Sequence, residues 1–414
     1  MPHKARQAAL SDAAQAPGAL ARQAIIDGKL SVLGYEIVER TAAAGSRSRD
    51  AEFLLYVLSL AASSAAADQR LLFMPCSLDT LASGHLDLVE PQRLVLEIAL
   101  PAAIDATGIG MAAVALHAAR KRGFRLAFGH QVLAPAWRSW LLHASFIRFD
   151  MAQLPAGVVQ AIVKETRRQP GVQLIACNID THAQHQAALA AGVKLFQGNW
   201  FARPVAVRNQ GMRPGQATVL QLINLVRSDA ATNEIEAVLK RDPALSLSLL
   251  RFINSSGFGL SCEVTSFRHA VMILGLKNLF RWAALLIATA RDGASPAAGY
   301  TAVVRGRLME LLAADMLTPE ECDHAFVVGI FSLLESMTGI AIDKALDGIS
   351  LPEPVMQALL HRSGPLAPFL ELTEACEGTD DAAFARAAAA LQLSDRQINT
   401  AHLQAMAWAS SLLP

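Results

Sequence analysis

Gly108-Ile-Gly-Met-Ala-Ala-Val-Ala-Leu-His-Ala-Ala-Arg-Lys-Arg-Gly-Phe-Arg-Leu-Ala-Phe128 is the stretch whose reading decides the fold. Gly108–Arg122 is rich in Ala and Leu and reads as a helix. Gly123 follows the helix end, the place where a residue free to adopt positive φ is favoured. Arg125–Phe128 then reads as a short strand. The same helix–glycine–strand pattern recurs at His182–Ala191, Gly192 and Leu195–Gln197.

Working outward, further strands are predicted at Ser31–Val38, Arg70–Met74, Leu94–Ile98, Phe146–Phe149 and Leu174–Ala176. Helices are predicted at Arg49–Ala62, Ala136–His143 and Gly157–Gln169. Strands alternating with helices argue for a parallel sheet with helical crossovers. Seven or eight such units over 21–205 close a (β/α) barrel, short for its type. Residues 1–20 lack an apolar stripe and are expected to form a flexible N-terminal tail. A Pro-, Arg- and Gly-bearing linker, Arg203 to Gly215, marks a boundary; the barrel is expected to end at residue 205 and the linker proper to cover 206–215.

From 216 to 412 the pattern turns almost wholly helical. Asp242-Pro243 supplies a cap and a first-turn proline before Ala244–Ile253. Ser266 caps a helix that ends at Gly275, and Ser255–Gly259 is a breaker. Other helices are expected at Gln216–Arg227, Asn233–Lys240, Lys277–Ala290, Val303–Ala314, Glu321–Thr338, Leu351–His361 and Asp380–Leu391. The fold class is therefore α/β followed by all-α.

The 36 basic and 36 acidic residues balance in a chain of 414, and only 17% of residues are charged. Broad nucleic-acid binding needs a basic surplus and is not expected. The longest apolar runs, Trp282–Ala290 and Ala325–Leu334, are too short to span a bilayer, and no secretory signal is visible. Cys76, Cys177, Cys262, Cys322 and Cys376 are scattered, which suits a reducing cytoplasm and argues against disulfides. Trp137, Trp140 and Trp200 are candidate interface anchors. A two-fold homodimer is the base-rate expectation.

Ile235–Ser256 and Val264–Leu276 resemble the HDOD domain, an all-helical relative of the HD phosphohydrolases of bacterial signalling proteins. HD enzymes hold metal with adjacent His and Asp side chains. The matching position after Gly329-Ile330-Phe331 reads Ser332-Leu333, and His269 and His324 stand alone. The resemblance thus implies a protein-interaction module.

Residues 22–40, containing Gly34-Tyr-Glu-Ile-Val-Glu-Arg40, are similar to the opening of EAL domains, barrel phosphodiesterases that cleave cyclic di-GMP. Leu94–Ile98, Gly123–Phe128, Ile147–Asp150, Leu174–Thr181 and Leu195–Phe201 follow in the family's order. Two divalent metals held by carboxylates drive that hydrolysis. The resemblance implies metal-ligand roles for Glu36 and Glu97, a phosphate contact for Arg40, and site positions for Asp150 and Gln197. It also exposes substitutions. The Asn ligand is Pro75, the Asp pair is Gly129-His130, a later Glu is Cys177, and the water-orienting Lys is Arg148. Arg is a planar fork rather than a point charge.

Glu36, Arg40, Glu97, Arg148, Asp150 and Gln197 are accordingly expected to be remnants of a ligand site, with no catalytic residue, metal or cofactor. The expectation is a cytoplasmic, non-enzymatic EAL–HDOD protein that acts through other signalling or regulatory proteins. The alternatives are a metal-independent cyclic di-GMP receptor and a weak residual phosphodiesterase.

Overall fold

The computed structural model describes residues 18–40, 53–54, 57, 70–82, 86, 89–202, 214–241, 249, 253, 267–289, 295–346, 351–378 and 380–412. The expected tail before residue 18, most of the helix over 49–62, residues 203–213 of the linker, most of the helix over 244–253, the breaker at 255–259 and the Ser266 cap lie outside the described residues. The chain divides into two compact units. One comprises residues up to Arg203 together with Glu374–Leu412; the other is Pro204–Thr373.

The first unit is a closed eight-stranded barrel: β1 Leu20–Asp27, β2 Val32–Glu39, β3 Leu71–Pro75, β4 Leu94–Ile98, β5 Arg125–Gly129, β6 Phe146–Asp150, β7 Gln173–Cys177 and β8 Leu195–Gln197. Strands β2 to β8 pair in parallel, and β1 runs antiparallel to both β2 and β8. Helices α1 Ala106–Lys121, α2 Ala156–Thr166 and α3 His182–Ala191 cross over between strands. A Thr181–Gln184 capping box starts α3, and Gly192 ends it at φ 93°.

Alternate strand residues face the lumen. Ile25, Leu71, Phe73, Val95, Ala127, Phe146, Ile175 and Leu195 form one sealed apolar layer across it. Two residues further towards the C-terminal ends of the parallel strands stand Glu36, Pro75, Glu97, Gly129, Arg148, Cys177 and Gln197. This period of two is what brings residues from separate strands onto one level.

Strand β1 was not among the predicted strands, and its first residue, Leu20, falls in the segment expected to be tail. It is buried on both faces, so it carries no alternation to read. β8 is short and pairs only with residues 25–27 of β1. Among the described residues, part of the β1 edge therefore lacks a strand partner, and buried backbone groups need one. The chain's own C-terminal segment supplies it. Arg22 N donates to Cys376 O at 3.1 Å, and Leu20 N donates to Asn399 Oδ1 at 2.8 Å. Asn399 Nδ2 in turn donates to Gly18 O at 3.1 Å. Helices α9 (Asp381–Ala390) and α10 (Asp395–Leu412) thus belong to the barrel unit. A single helical domain over 216–412 is corrected accordingly: its last part, from Glu374, completes the barrel.

The second unit contains α4 Pro214–Arg227, α5 Thr232–Arg241, α6 Phe267–Thr289, α7 Pro296–Ala313 and α8 Pro319–Phe331, followed by shorter helices. Gly275 breaks α6 at φ 72°, where the sequence placed a helix end. The segment His269–Ala288 is 20 residues long with mean hydropathy 1.6, so among the described residues one helix is long and apolar enough to cross a membrane, contrary to the reading of shorter runs. Its Arg281 is nevertheless held by Glu310 of α7 and Asp323 of α8, both at 2.7 Å, and lies over the Phe326 ring. That pairing marks a core helix of this unit. Helices α7 and α8 cross at Gly306 and Gly329. A Cβ on Gly329 would lie 2.5 Å from Gly306 N, so only glycine permits the approach.

Candidate functional site

The polar level above the apolar layer is closed by one guanidinium. Arg148 on β6 reaches across the lumen and pairs through Nη1 with Glu36 Oε1 of β2 at 2.7 Å and with Glu97 of β4. Its Nη2 donates to Gln197 Oε1 of β8 at 2.7 Å. Gln197 Nε2 donates to Gln23 Oε1 of β1 at 2.8 Å and to Glu36. Five side chains from five strands therefore form one hydrogen-bonded ring. Gln23 was not predicted, because its strand was missed.

Burial pushes Glu97 up to about 8; Arg148 pulls it back and Glu36 reinforces the rise. Burial also raises Glu36, but the Arg148 charge and the hydrogen bonds to it prevail and leave Glu36 below its ordinary value. Burial works against the charge of Arg148, but Glu97, Cys177 and Glu36 keep it firmly protonated. At neutral pH Glu36 and Arg148 form the ion pair, while Glu97 is mostly the neutral acid.

A cleft of about 430 Å³ opens above this ring. Glu97, Arg148 and Cys177 form part of its floor, and Ala99, Phe128, His130, Gln131, Gln153 and Leu154 part of its walls. Asp150 stands at its rim, accepting from Ala152 N at 2.8 Å and Asn178 Nδ2 at 2.7 Å. It is not part of the ring.

Arg40 is not brought to the cleft. Its guanidinium donates to Ala375 O at 2.6 Å and to Gly378 O, pairs with Asp381 at 2.8 Å, and lies over the Phe384 ring. The phosphate contact expected of Arg40 is thus corrected: the returning C-terminal segment takes up both terminal nitrogens of its guanidinium. Two of the three tryptophans expected as interface anchors are also corrected. Trp140 and Trp200 are fully buried, and Trp140 Nε1 donates to Ile109 O at 3.0 Å.

The metal pair implied by the resemblance does not fit these residues. Of the three carboxylates that remain, Arg148 takes up Glu36 and Glu97, and Asp150 is bonded to Ala152 N and Asn178. Pro75 and Gly129 offer no side-chain donor, and burial raises the Cys177 thiol to about 11, so it is not a thiolate. Among the described residues no three His, Cys, Asp or Glu side chains are grouped to hold a metal ion. In the helical unit Ser332, where the HD pair would begin, accepts from Arg305 Nη1 at 3.0 Å and donates to Gly329 O at 2.7 Å.

Residues 214–334 match the HDOD domain family. The helical unit carries an HDOD domain. A closed eight-stranded barrel precedes it in the chain. It is 27% identical over 263 residues to the cyclic di-GMP phosphodiesterase CdgJ of Vibrio cholerae serotype O1, covering 63% of this chain and 61% of that one. It is 26% identical over 248 residues to the uncharacterized protein YuxH of Bacillus subtilis, covering 59% and 60%. The matches thus span about three fifths of these relatives' lengths. Among solved structures, the PaMucR phosphodiesterase in complex with cyclic di-GMP is 20% identical with a TM-score of 0.37, covering 45% of this chain and 96% of that one. A standalone EAL protein of Vibrio cholerae O395 in its cyclic di-GMP-bound form is 17% identical with a TM-score of 0.36, covering 46% and 93%. The expectation of a chain without enzymatic activity is corrected by the first of these relatives, which is named as a phosphodiesterase.

Proposed function

We propose that this EAL–HDOD protein serves cyclic di-GMP signalling by taking the dinucleotide into the cleft at the C-terminal ends of the barrel strands. Its HDOD domain carries contacts to other signalling or regulatory proteins, in the cytoplasm. The observation that carries the reading is the Arg148 ring at the cleft floor. A cyclic dinucleotide brings two negative phosphodiesters, which a pair of bare carboxylates repels. Here Arg148 balances Glu36, and Glu97 is mostly protonated at neutral pH. The floor is close to electroneutral, so an anion approaches without a metal to mask the carboxylates. His130, Gln131 and Gln153 offer hydrogen bonds beside apolar walls, the mixture usual in small-molecule sites. Similarity to CdgJ supports the identity of the ligand.

The name of that relative also favours a second reading, hydrolysis of the phosphodiester at the same place.

Calorimetric titration of the full chain with cyclic di-GMP in chelator tests the proposal. Saturable binding is expected, and Ala99→Trp, which fills the cleft, abolishes it. Absence of binding at high micromolar ligand, or unchanged binding by the variant, overturns the reading. Chromatography for the linear dinucleotide, with magnesium or manganese added, decides the second one.

A further inference from the structure

The barrel has a second cleft at its other end, and the geometry points to it as a binding site for a small organic oxyanion, a phosphate or carboxylate head on an apolar body. Its volume is about 410 Å³, within the range of small-molecule sites. The apolar layer across the lumen separates it from the cleft above Arg148. Leu33, Leu71 and Phe146, on the underside of that layer, form an apolar floor.

Two guanidinium groups line the same cleft, Arg120 and Arg125. Arg120 donates to Phe124 O at 3.1 Å and to Ser145 Oγ at 2.8 Å, both neutral acceptors. A place at the end of α1 and a bond to a nearby carbonyl account for Arg120 structurally. Arg125 is exposed at the mouth of this cleft and has neither feature. Arg125 stands two residues before Ala127 on β5, in an inward-facing position of a barrel strand. Its side chain has no hydrogen bond or ion pair among the described residues, and no carboxylate lines the cleft.

Two positive forks beside an apolar floor suit a ligand with one charged end and one apolar end. Guanidinium groups bind carboxylate and phosphate through paired hydrogen bonds. Gln173, also lining the cleft, adds a neutral amide to orient the head.

Calorimetry of the full chain with phenyl phosphate, benzoate and benzyl alcohol tests this inference. One of the two anions is expected to bind saturably, and benzyl alcohol at least about tenfold more weakly, as the loss of a charge-assisted contact implies. The preferred anion identifies the head group. Arg125→Ala weakens that binding by about tenfold or more, and Arg125→Lys, which keeps the charge but not the fork, by less. Cyclic di-GMP binding at the opposite mouth stays unchanged in Arg125→Ala, so the two sites are judged separately. No saturable binding of either anion at millimolar concentration, or full affinity in Arg125→Ala, overturns the inference.

Discussion

Replacing Glu97 by Gln keeps the shape of the side chain and removes its titration. In the folded chain burial lifts this carboxyl from 4.5 to about 8, with Arg148 opposing and Glu36 adding to the rise. Between these values the native state holds a proton that the unfolded chain has released. Stability falls with rising pH wherever the native state binds more protons. The Glu97 contribution is therefore fully present below about pH 4.5 and is lost as pH rises through about 8. At about 1.4 kcal/mol per pH unit, the loss is on the order of 3 kcal/mol by neutral pH and on the order of 5 kcal/mol across the whole window. His402 works in the opposite sense. Burial, with Arg22 and Arg40 nearby, holds its pKa well below 6.5, so its contribution is lost as pH falls. The difference between Glu97→Gln and wild type cancels that background. Urea unfolding of both proteins from about pH 5 to about pH 8 should show the variant gaining steadily on wild type. Parallel curves, or a wild type that gains on the variant as pH rises, would refute the ring as described.

Arg148→Met leaves the Glu36 carboxylate buried without its cation. It should lower stability by about 3–5 kcal/mol in urea unfolding at neutral pH. Arg40→Met strips two half-buried carbonyls of their donor and should cost about 1–3 kcal/mol, read as increased hydrogen exchange in β1 and in residues 374–412. Gly329→Ala drives a methyl group into the backbone of α7 and should destabilise the helical unit by about 1–3 kcal/mol or more in thermal melts.

What was legible in the sequence follows from how local its causes are. Strands β3 to β8 are short apolar runs set off by glycines and capped helices, and they fall within a residue or so of their expected places. Glu36, Glu97, Arg148 and Gln197 share one level because the strand period is two, so their convergence followed once the strands were placed. β1 was missed because a strand covered on both faces shows no alternation, and Gln23 was missed with it. The fate of Arg40 was illegible for a different reason. Its partners lie about 335 to 341 residues away in sequence, and nothing in an Ala-rich helix such as 381–390 says which unit it covers. The boundary of the helical domain was misplaced by the same long-range return.

Where the resemblance puts metal ions, the barrel has an arginine, Arg148 against Glu36 and Glu97. A buried carboxylate requires a cation, and a guanidinium supplied by the chain remains charged at every working pH. Folding of the barrel then gains nothing from a divalent ion. A ligand that binds only the native state stabilises by RT ln(1 + [L]/Kd), about 2.7 kcal/mol at a hundredfold excess over Kd. The melting temperature of the full chain should therefore be the same in EDTA as in millimolar magnesium or manganese. A rise of several degrees on adding either ion would mean that Arg148 yields its carboxylates to metal. In that case Arg148→Lys, with its shorter reach for paired bonding, should show a larger rise than wild type.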